Sequence, residues 1–251
     1  RADLLMRGLS SLEKMDYDKD KFEIVISDYL SDDNLVEKIH KYRGSLNIKY
    51  LCIDFRRYKY HKVFFKNGKC NPALAQNCAV RASSGKNIIL TSPEILHWKD
   101  NLNILNEIKD LDSKFIYGKV TEKTENDVFS NIDPFSKLKL LNNGEILCDW
   151  DNKQHVNKET LYFIGVLSRE LYMKYGGIDE NYMSGIAYED EDFSNRMKNI
   201  SELTLEFNKE INGIHLTHDR SYQDPQSVFI NKEYMDNKIR NGKNWKDHLI
   251  S

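Results

Sequence analysis

Proline and cysteine are scarce in this sequence of 251 residues, which has four of each and 12 glycines. The cysteines have none of the spacings that are typical of zinc sites. No apolar run is long enough to cross a bilayer, and no secretory signal is recognisable. We therefore expect a cytoplasmic protein with reduced thiols and no transmembrane segment; two disulfides in a secreted domain are the alternative. The cysteines are Cys52, Cys70, Cys78 and Cys148.

An excess of charge of one sign is also lacking, because 37 basic and 39 acidic residues leave a net charge of −2. Without a strong overall field, nothing favours a nucleic-acid or membrane partner, and we expect no nucleic acid. Residues 56–69 are the local exception, with basic side chains, aromatic rings and no acid. This basic loop is either a solvated loop or a segment that faces the phosphates of a nucleotide.

Helices and strands alternate over the first 100 residues. Such alternation predicts an α/β fold with a mixed, mostly parallel sheet flanked by helices. A fold of this kind normally begins with a strand, so we expect that the first strand either precedes residue 1 or is missing. Apolar periodicity predicts helices at 4–12, 35–42, 73–82 and 102–111, and strands at 22–27, 48–53, 87–91 and 115–120.

The second half of the chain begins with a polar stretch, residues 121–158, that has weak periodicity. Beyond it, the pattern predicts three strands, two helices and a polar helical tail at 226–251. Two consecutive glycines, Gly176 and Gly177, are expected to close one of the helices. These elements are strands at 162–166, 203–207 and 211–217 and helices at 169–175 and 189–200.

Four consecutive acids begin the helix that is predicted from residue 189. Acids at a helix start commonly do no more than complement the helix dipole. Apolar residues at spacings of four and three, from Phe193 onward, mark the buried face of this helix. By that spacing Glu189 and Asp190 flank the buried face, whereas Glu191 and Asp192 lie on the solvent side. A carboxylate that points toward the body of the protein needs a partner or a task.

Two histidines, His215 and His218, follow a short apolar run near the end of the last predicted strand. A histidine beside apolar residues is commonly structural. Residues three apart cannot both face one side of a regular strand, so the two rings can converge only where a turn intervenes. Imidazole and carboxylate together are suited to metal-assisted transfer chemistry.

Four segments of the chain resemble a known family: FEIVISDYLSDD, NPALAQNCAVRASSGKNIIL, LYFIGVLSRELYMKYGGIDENY and YEDEDFSNRM. Together they resemble the inverting glycosyltransferases of family two, which have the GT-A (Rossmann-like) fold. The similarity is strongest to the branch that holds the β-1,4-galactosyltransferases and the chondroitin-type polymerases. It covers roughly residues 1–105 and 160–222 and implies one domain over 1–251. Its parts would be a nucleotide-sugar half (1–105), an irregular insertion (106–160), an acceptor half (161–222) and a helical tail (223–251).

The resemblance implies transfer of a hexose or N-acetylhexosamine from a nucleotide sugar, expected to be a UDP-sugar, to a saccharide or glycoconjugate acceptor. Polysaccharide biosynthesis is the implied setting. Asp190 would be the general base, and Glu189 would orient it or bind the acceptor. The implied nucleotide-binding residues are Asp28, Arg1, Asn71 and Ser92, and the implied ligands of Mn²⁺ or Mg²⁺ are Glu94, His218 and His215.

One departure from the family concerns the metal motif. The family has Asp-x-Asp, whereas this chain has Ser92-Pro93-Glu94, so metal binding would rest on Glu94 and a histidine. This loss favours a non-catalytic sugar- or partner-binding domain, while the Glu189-Asp190 pair favours an enzyme. A sugar nucleotidyltransferase is a third reading, although no glycine-rich phosphate loop with a lysine is found near the start of the sheet.

Overall fold

The computed structural model describes residues 1–54, 72–123, 163–218 and 225–241. Within these ranges, none of the helices has the length and apolarity that a membrane span requires. Short 3-10 helices lie at Lys19–Lys21 and Glu180–Ser184. The helices are α1 (Ala2–Glu13), α2 (Leu35–Lys41), α3 (Ala73–Ala82), α4 (Asn101–Glu107), α5 (Arg169–Lys174), α6 (Glu189–Lys198) and α7 (Pro225–Arg240). The strands are β1 (Ile24–Asp28), β2 (Ile48–Cys52), β3 (Asn87–Leu90), β4 (Ile95–His97), β5 (Lys114–Lys123), β6 (Gly165–Ser168) and β7 (Thr204–Leu216).

The strands of the described residues form two sheets. One is the pair β1-β2, and the other has the order β3-β6-β5-β7-β4. Pairing is parallel between β1 and β2 and between β5 and β7. The pairs β3-β6, β5-β6 and β4-β7 are antiparallel. The mixed α/β architecture that the sequence predicts is confirmed, with helices packed against the sheets.

The core lies on both faces of the larger sheet, because successive side chains of β5 point to opposite sides. Phe115 packs on one face with residues of α3, α5 and α6, and Ile116 packs on the other with residues of α4. Both side chains are fully buried. The ring of Phe115 meets that of Phe193 edge to face at 6.0 Å between centroids, which anchors α6 on the sheet. The acidic start of α6 is thereby fixed to the rigid part of the fold.

The structure differs from the predicted elements in several places. A single strand, β7, replaces the two predicted at 203–207 and 211–217, because residues 209–211 bulge out between two paired stretches. Gly118 of β5 lies opposite this bulge, where a Cβ would come within 2.6 Å of Ile211. Strand β4 was not predicted. Residues 114–123, inside the range 106–160 that was assigned to an insertion, form β5.

A buried histidine on β4, His97, gives the fold a testable dependence on pH. Its Nε2 lies 3.0 Å from Thr91 Oγ1, and its backbone N–H donates to Ser11 Oγ on α1. Burial lowers the pKa of His97 from 6.5 to about 4. The unfolded chain therefore binds the proton more readily, and the free energy of unfolding should fall by roughly 3 kcal/mol between pH 6.5 and 4, at about 1.36 kcal/mol per pKa unit.

Urea unfolding at several pH values between 7 and 4 measures this effect. His97→Gln should flatten the dependence, whereas His40→Gln, at an exposed position, should leave it unchanged. The pKa of the carboxyls of Glu13 and Glu23 is lowered from 4.5 to about 2. Their contribution to the free energy of unfolding is lost as the pH falls from 4.5 toward 2, which is largely below the range in which His97 acts. An unchanged slope in His97→Gln would assign the dependence to other groups.

Candidate active site

The pairing of β4 with β7 brings together residues that are far apart in the sequence. Ile95 lies opposite His215 in the antiparallel register, and the N–H of Leu216 donates to the carbonyl of Glu94 at 2.9 Å. Glu94 therefore sits at the start of β4, beside the end of β7. Because β7 ends at Leu216, the chain is free to turn, and His218 reaches the same point as His215.

Glu94, His215 and His218 form a close cluster, the one such group of potential metal ligands among the described residues. Oε1 of Glu94 lies 3.4 Å from Nε2 of His215 and 3.3 Å from Nε2 of His218. Their three possible ligand atoms all lie within 4.8 Å of one another. One carboxylate oxygen and two imidazole nitrogens on such a small triangle can bind one divalent ion.

The electrostatics of the cluster keep Glu94 ionised. Burial alone raises the pKa of this carboxyl, but hydrogen bonds with His215 and His218 and the charge of Arg1 outweigh burial and hold the pKa well below its usual range. Oε2 of Glu94 is buried and lacks a hydrogen-bond partner among the described residues, whereas Nδ1 of His215 lies 3.7 Å from Oε1 of Glu122. Since buried polar atoms are nearly always satisfied in native proteins, Oε2 of Glu94 fits a site that is completed by a ligand.

Residues implied in nucleotide binding lie around the cluster. Nη1 of Arg1 is 3.5 Å from Oε1 of Glu94. Ser92 begins the turn that leads to Glu94, with its carbonyl accepting from the N–H of Ile95 at 3.2 Å. A cavity of ≈ 240 Å³ opens beside His218. Its lining is formed by Arg1, Ala2, Asp3, Leu4, Asp33 and His218.

Asp28 lies at the end of β1 in a hydrogen-bonded turn. Its carboxylate accepts from the backbone N–H and the hydroxyl of Ser31 and from the hydroxyl of Tyr50, the last at 2.5 Å. Burial, followed by the hydrogen bond to Asp28, raises the pKa of Tyr50. The carboxylate is thus held in place by the protein. Asn71 and the basic loop 56–69 lie outside the described residues.

The acid run begins α6 after an unusual backbone conformation. Ala187 and Tyr188 both have positive φ, 65° and 70°, and α6 starts at the next residue. Glu189 is buried, and Asp190 is partly exposed. Oδ1 of Asp190 accepts from the N–H of Glu191 at 2.9 Å. The predicted position of Glu189 at the edge of the buried face agrees with its burial.

The prediction that Asp192 lies on the solvent side is wrong. Asp192 is 6% exposed, and its carboxylate binds Nε of Arg196 at 2.8 Å and Nζ of Lys238 at 2.8 Å. The same ammonium contacts Asp179 at 2.9 Å. Lys238 of helix α7 reaches the side of α6 that helical spacing assigned to solvent, and Arg196 on that side donates to the carbonyls of Tyr175 and Gly177. The i,i+4 spacing of Asp192 and Arg196 was a signal for their pairing, but nothing local to the polar tail indicated a buried lysine.

No protein-family model and no curated protein sequence matches the chain. Solved structures resemble it over nearly its whole length. TarS from S. aureus, residues 1–349 with UDP-GlcNAc, has a TM-score of 0.61 and 17% identity over 94% of this chain and 63% of that one. A longer TarS structure has a TM-score of 0.59 and 17% identity, with the chain spanning 37% of it.

A second solved structure resembles this chain to a comparable degree. The mannosyltransferase PcManGT from Pyrobaculum calidifontis, in complex with GDP-Man and Mn²⁺, has a TM-score of 0.56 and 18% identity over 97% of this chain and 62% of that one. Both proteins are glycosyltransferases of the GT-A type. At these identities the likeness establishes the fold alone, and the chain therefore has the GT-A fold.

Proposed function

We propose that the protein is an inverting glycosyltransferase that moves a hexose or N-acetylhexosamine from a UDP-sugar to a saccharide or glycoconjugate acceptor. The observation that carries the proposal is the largely buried cluster of Glu94, His215 and His218 at the start of β4 and the end of β7, within a GT-A fold. The related structures support it, since TarS was solved with UDP and with UDP-GlcNAc, and PcManGT with GDP-Man and Mn²⁺. A saccharide acceptor would place the reaction in polysaccharide biosynthesis.

On the donor side, Glu94, His215 and His218 would hold Mn²⁺ or Mg²⁺. When bound, the ion supplies positive charge for the diphosphate leaving group. Carboxylate and diphosphate oxygens suit both ions. Mg²⁺ is usually bound through carboxylates, phosphates and water, so two histidines in the set favour Mn²⁺ of the two. The guanidinium of Arg1 lies beside this set and contacts Glu94.

The nucleotide would lie against the strand ends on this side of the sheet, where α/β folds bind their ligands. Asp28 is assigned to the base or ribose, because its carboxylate is held in a fixed direction by Ser31 and Tyr50. Ser92 and Asn71 are assigned to the same ligand, Ser92 because it precedes the Glu94 turn.

On the acceptor side, Asp190 would remove the proton from an acceptor hydroxyl. The hydroxyl oxygen then attacks the anomeric carbon from the face opposite the nucleotide, the bond to the diphosphate breaks, and UDP leaves as the configuration inverts. Glu189, buried beside Asp190, would orient it or hydrogen-bond the acceptor. General-base assistance of this kind typically contributes about 10²–10⁴-fold in rate.

Incubation with nucleotide sugars tests the proposal directly. UDP-GlcNAc, UDP-glucose, UDP-galactose and GDP-mannose are each supplied with Mn²⁺, and free nucleotide is measured over time. We expect slow UDP release from at least one UDP-sugar and no GDP release from GDP-mannose. Tight UDP binding without release would instead support the non-catalytic sugar-binding domain. Failure to bind any of these nucleotides would reject both.

Binding of Mn²⁺ is expected to depend on UDP. The cluster offers only one carboxylate, so free protein should bind Mn²⁺ weakly, and phosphate oxygens from UDP should tighten binding by at least about tenfold, within the usual range of coupling between ligands. Isothermal titration with and without UDP measures the coupling. Glu94→Gln or His218→Ala should abolish it, whereas His40→Ala, at an exposed site on α2, should not. Full transfer activity in excess EDTA would contradict the metal assignment.

A further inference from the structure

Helix α7 packs tightly against the loop that leads into the acid run. The N–H of Ile186 donates to the carbonyl of Ser227 at 3.1 Å. Gly185, next to it, permits the close approach, because a Cβ at this position would lie 2.2 Å from that same carbonyl oxygen and 2.7 Å from Oδ1 of Asn231. The polar tail is therefore a packed part of the proposed acceptor side.

Asn231 is the centre of this contact. It is completely buried, and its Nδ2 donates to the carbonyls of Tyr182 at 2.9 Å and Ala187 at 2.7 Å. Ala187 and Tyr188 are in the left-handed region, which is unfavourable for residues other than glycine. Such a conformation persists only where the surroundings impose it. The amide of Asn231 binds the loop at the first of these two residues.

A second set of contacts holds α7 in register with α6. Nζ of Lys238 contacts the carboxylates of Asp179 at 2.9 Å and Asp192 at 2.8 Å, and the hydroxyl of Tyr234 donates to Asp179 at 2.9 Å. Asp192 lies in the first turn of α6, and Asp179 precedes the 3-10 helix at Glu180–Ser184. The loop 185–188 is thus fixed at both ends by α7, and Asn231 binds its middle.

We propose that Asn231 is a positioning residue for the transfer reaction. By holding Ala187 and Tyr188 in the left-handed conformation, it sets the direction in which α6 begins and so the placement of Glu189 and Asp190. The proposal rests on the proposed function of Asp190 as base. Asn231 itself contacts backbone carbonyls of the loop, and its effect on the reaction passes through that loop.

The test compares the same substitution at two positions of α7. Asn231→Asp keeps the side-chain shape and removes the two N–H donors, whereas Asn237→Asp makes the same change at an exposed position. For Asn231→Asp, we expect kcat to fall at least about tenfold, because displacement of a reacting group by about 1 Å can cost about 10²-fold. The Kd for UDP with Mn²⁺ should stay within about twofold of wild type, since that site is built on β4 and β7. Asn237→Asp should match wild type in both.

Amide hydrogen exchange gives a second measurement that does not depend on catalysis. In Asn231→Asp, exchange at residues 186–192 should quicken by roughly tenfold or more, while exchange in β5 stays unchanged. Unchanged exchange at 186–192, or a loss of UDP affinity in proportion to the loss of kcat, would overturn the proposal. If Asn231→Asp does not fold, Asn231→Ser, which keeps one donor, is measured in the same way. Absence of UDP release by the wild-type protein would reject the proposed function, and the exchange result would still decide whether Asn231 holds the loop.

Discussion

Asp190→Asn is expected to lower sugar transfer by at least about 10²-fold while the fold and the affinity for UDP are retained. The amide cannot take a proton from an acceptor hydroxyl, but it keeps the shape of the carboxylate and can accept from the N–H of Glu191 as Asp190 does. Steady-state transfer kinetics measure the loss. Calorimetric titration with UDP and Mn²⁺ checks that the donor side is intact.

The matched control for this prediction is Glu191→Gln. It removes one charge from the same helix turn at a position that is also partly exposed. Asp192 cannot serve as the control, because it belongs to a buried ion cluster. Glu189→Gln should raise the KM for the acceptor more than it lowers kcat. Equal activity of Asp190→Asn and Glu191→Gln would leave the acid run as a dipole-stabilising helix start, with contributions of about 0.3–1 kcal/mol per acid.

Lys238→Met is expected to destabilise the protein by roughly 3–5 kcal/mol, the usual cost of removing one partner from a buried ion pair. The substitution preserves much of the side-chain volume but leaves the carboxylates of Asp179 and Asp192 buried without the ammonium between them. Arg196 remains beside Asp192 and compensates only one of the two. Urea unfolding monitored by circular dichroism gives the change.

Lys232→Met, on the same helix, is the control. Lys232 is largely exposed and pairs with Asp236 one turn away, an arrangement that contributes little to stability. A destabilisation by Lys238→Met no larger than that of Lys232→Met would show that α7 adds little to the stability of the fold. It would also weaken the case that α7 fixes the loop before α6.

Most individual elements of the described fold could be predicted from local patterns. The helix at Ala73–Ala82 was predicted with its observed bounds, and β1, β2 and β3 were placed within two residues. Gly176 and Gly177 end α5 with φ of 77° and 58°, as the double glycine indicated. These features depend on periodicity and on the backbone freedom of glycine, both of which are properties of neighbouring residues.

The candidate metal cluster was predicted from family resemblance, and its geometry depends on strand pairing. Glu94 and His215 meet because β4 runs antiparallel to β7 with Ile95 opposite His215. Strand β4 has only three residues and carries no periodic signal of its own. Its partner lies more than 100 residues away, so the register is decided by the whole sheet.

The sequence by itself determined most of the secondary structure, the α/β class and the position of the acids at the start of a helix. Only the tertiary structure decided which of those acids are buried. Helical spacing identifies the face of α6 that packs on the sheet, but Asp192, on another face, is buried where Lys238 of α7 reaches it. Burial is a property of what surrounds a residue. Asp192 pairs with Lys238, which lies 46 positions away in a segment that local patterning marks only as polar.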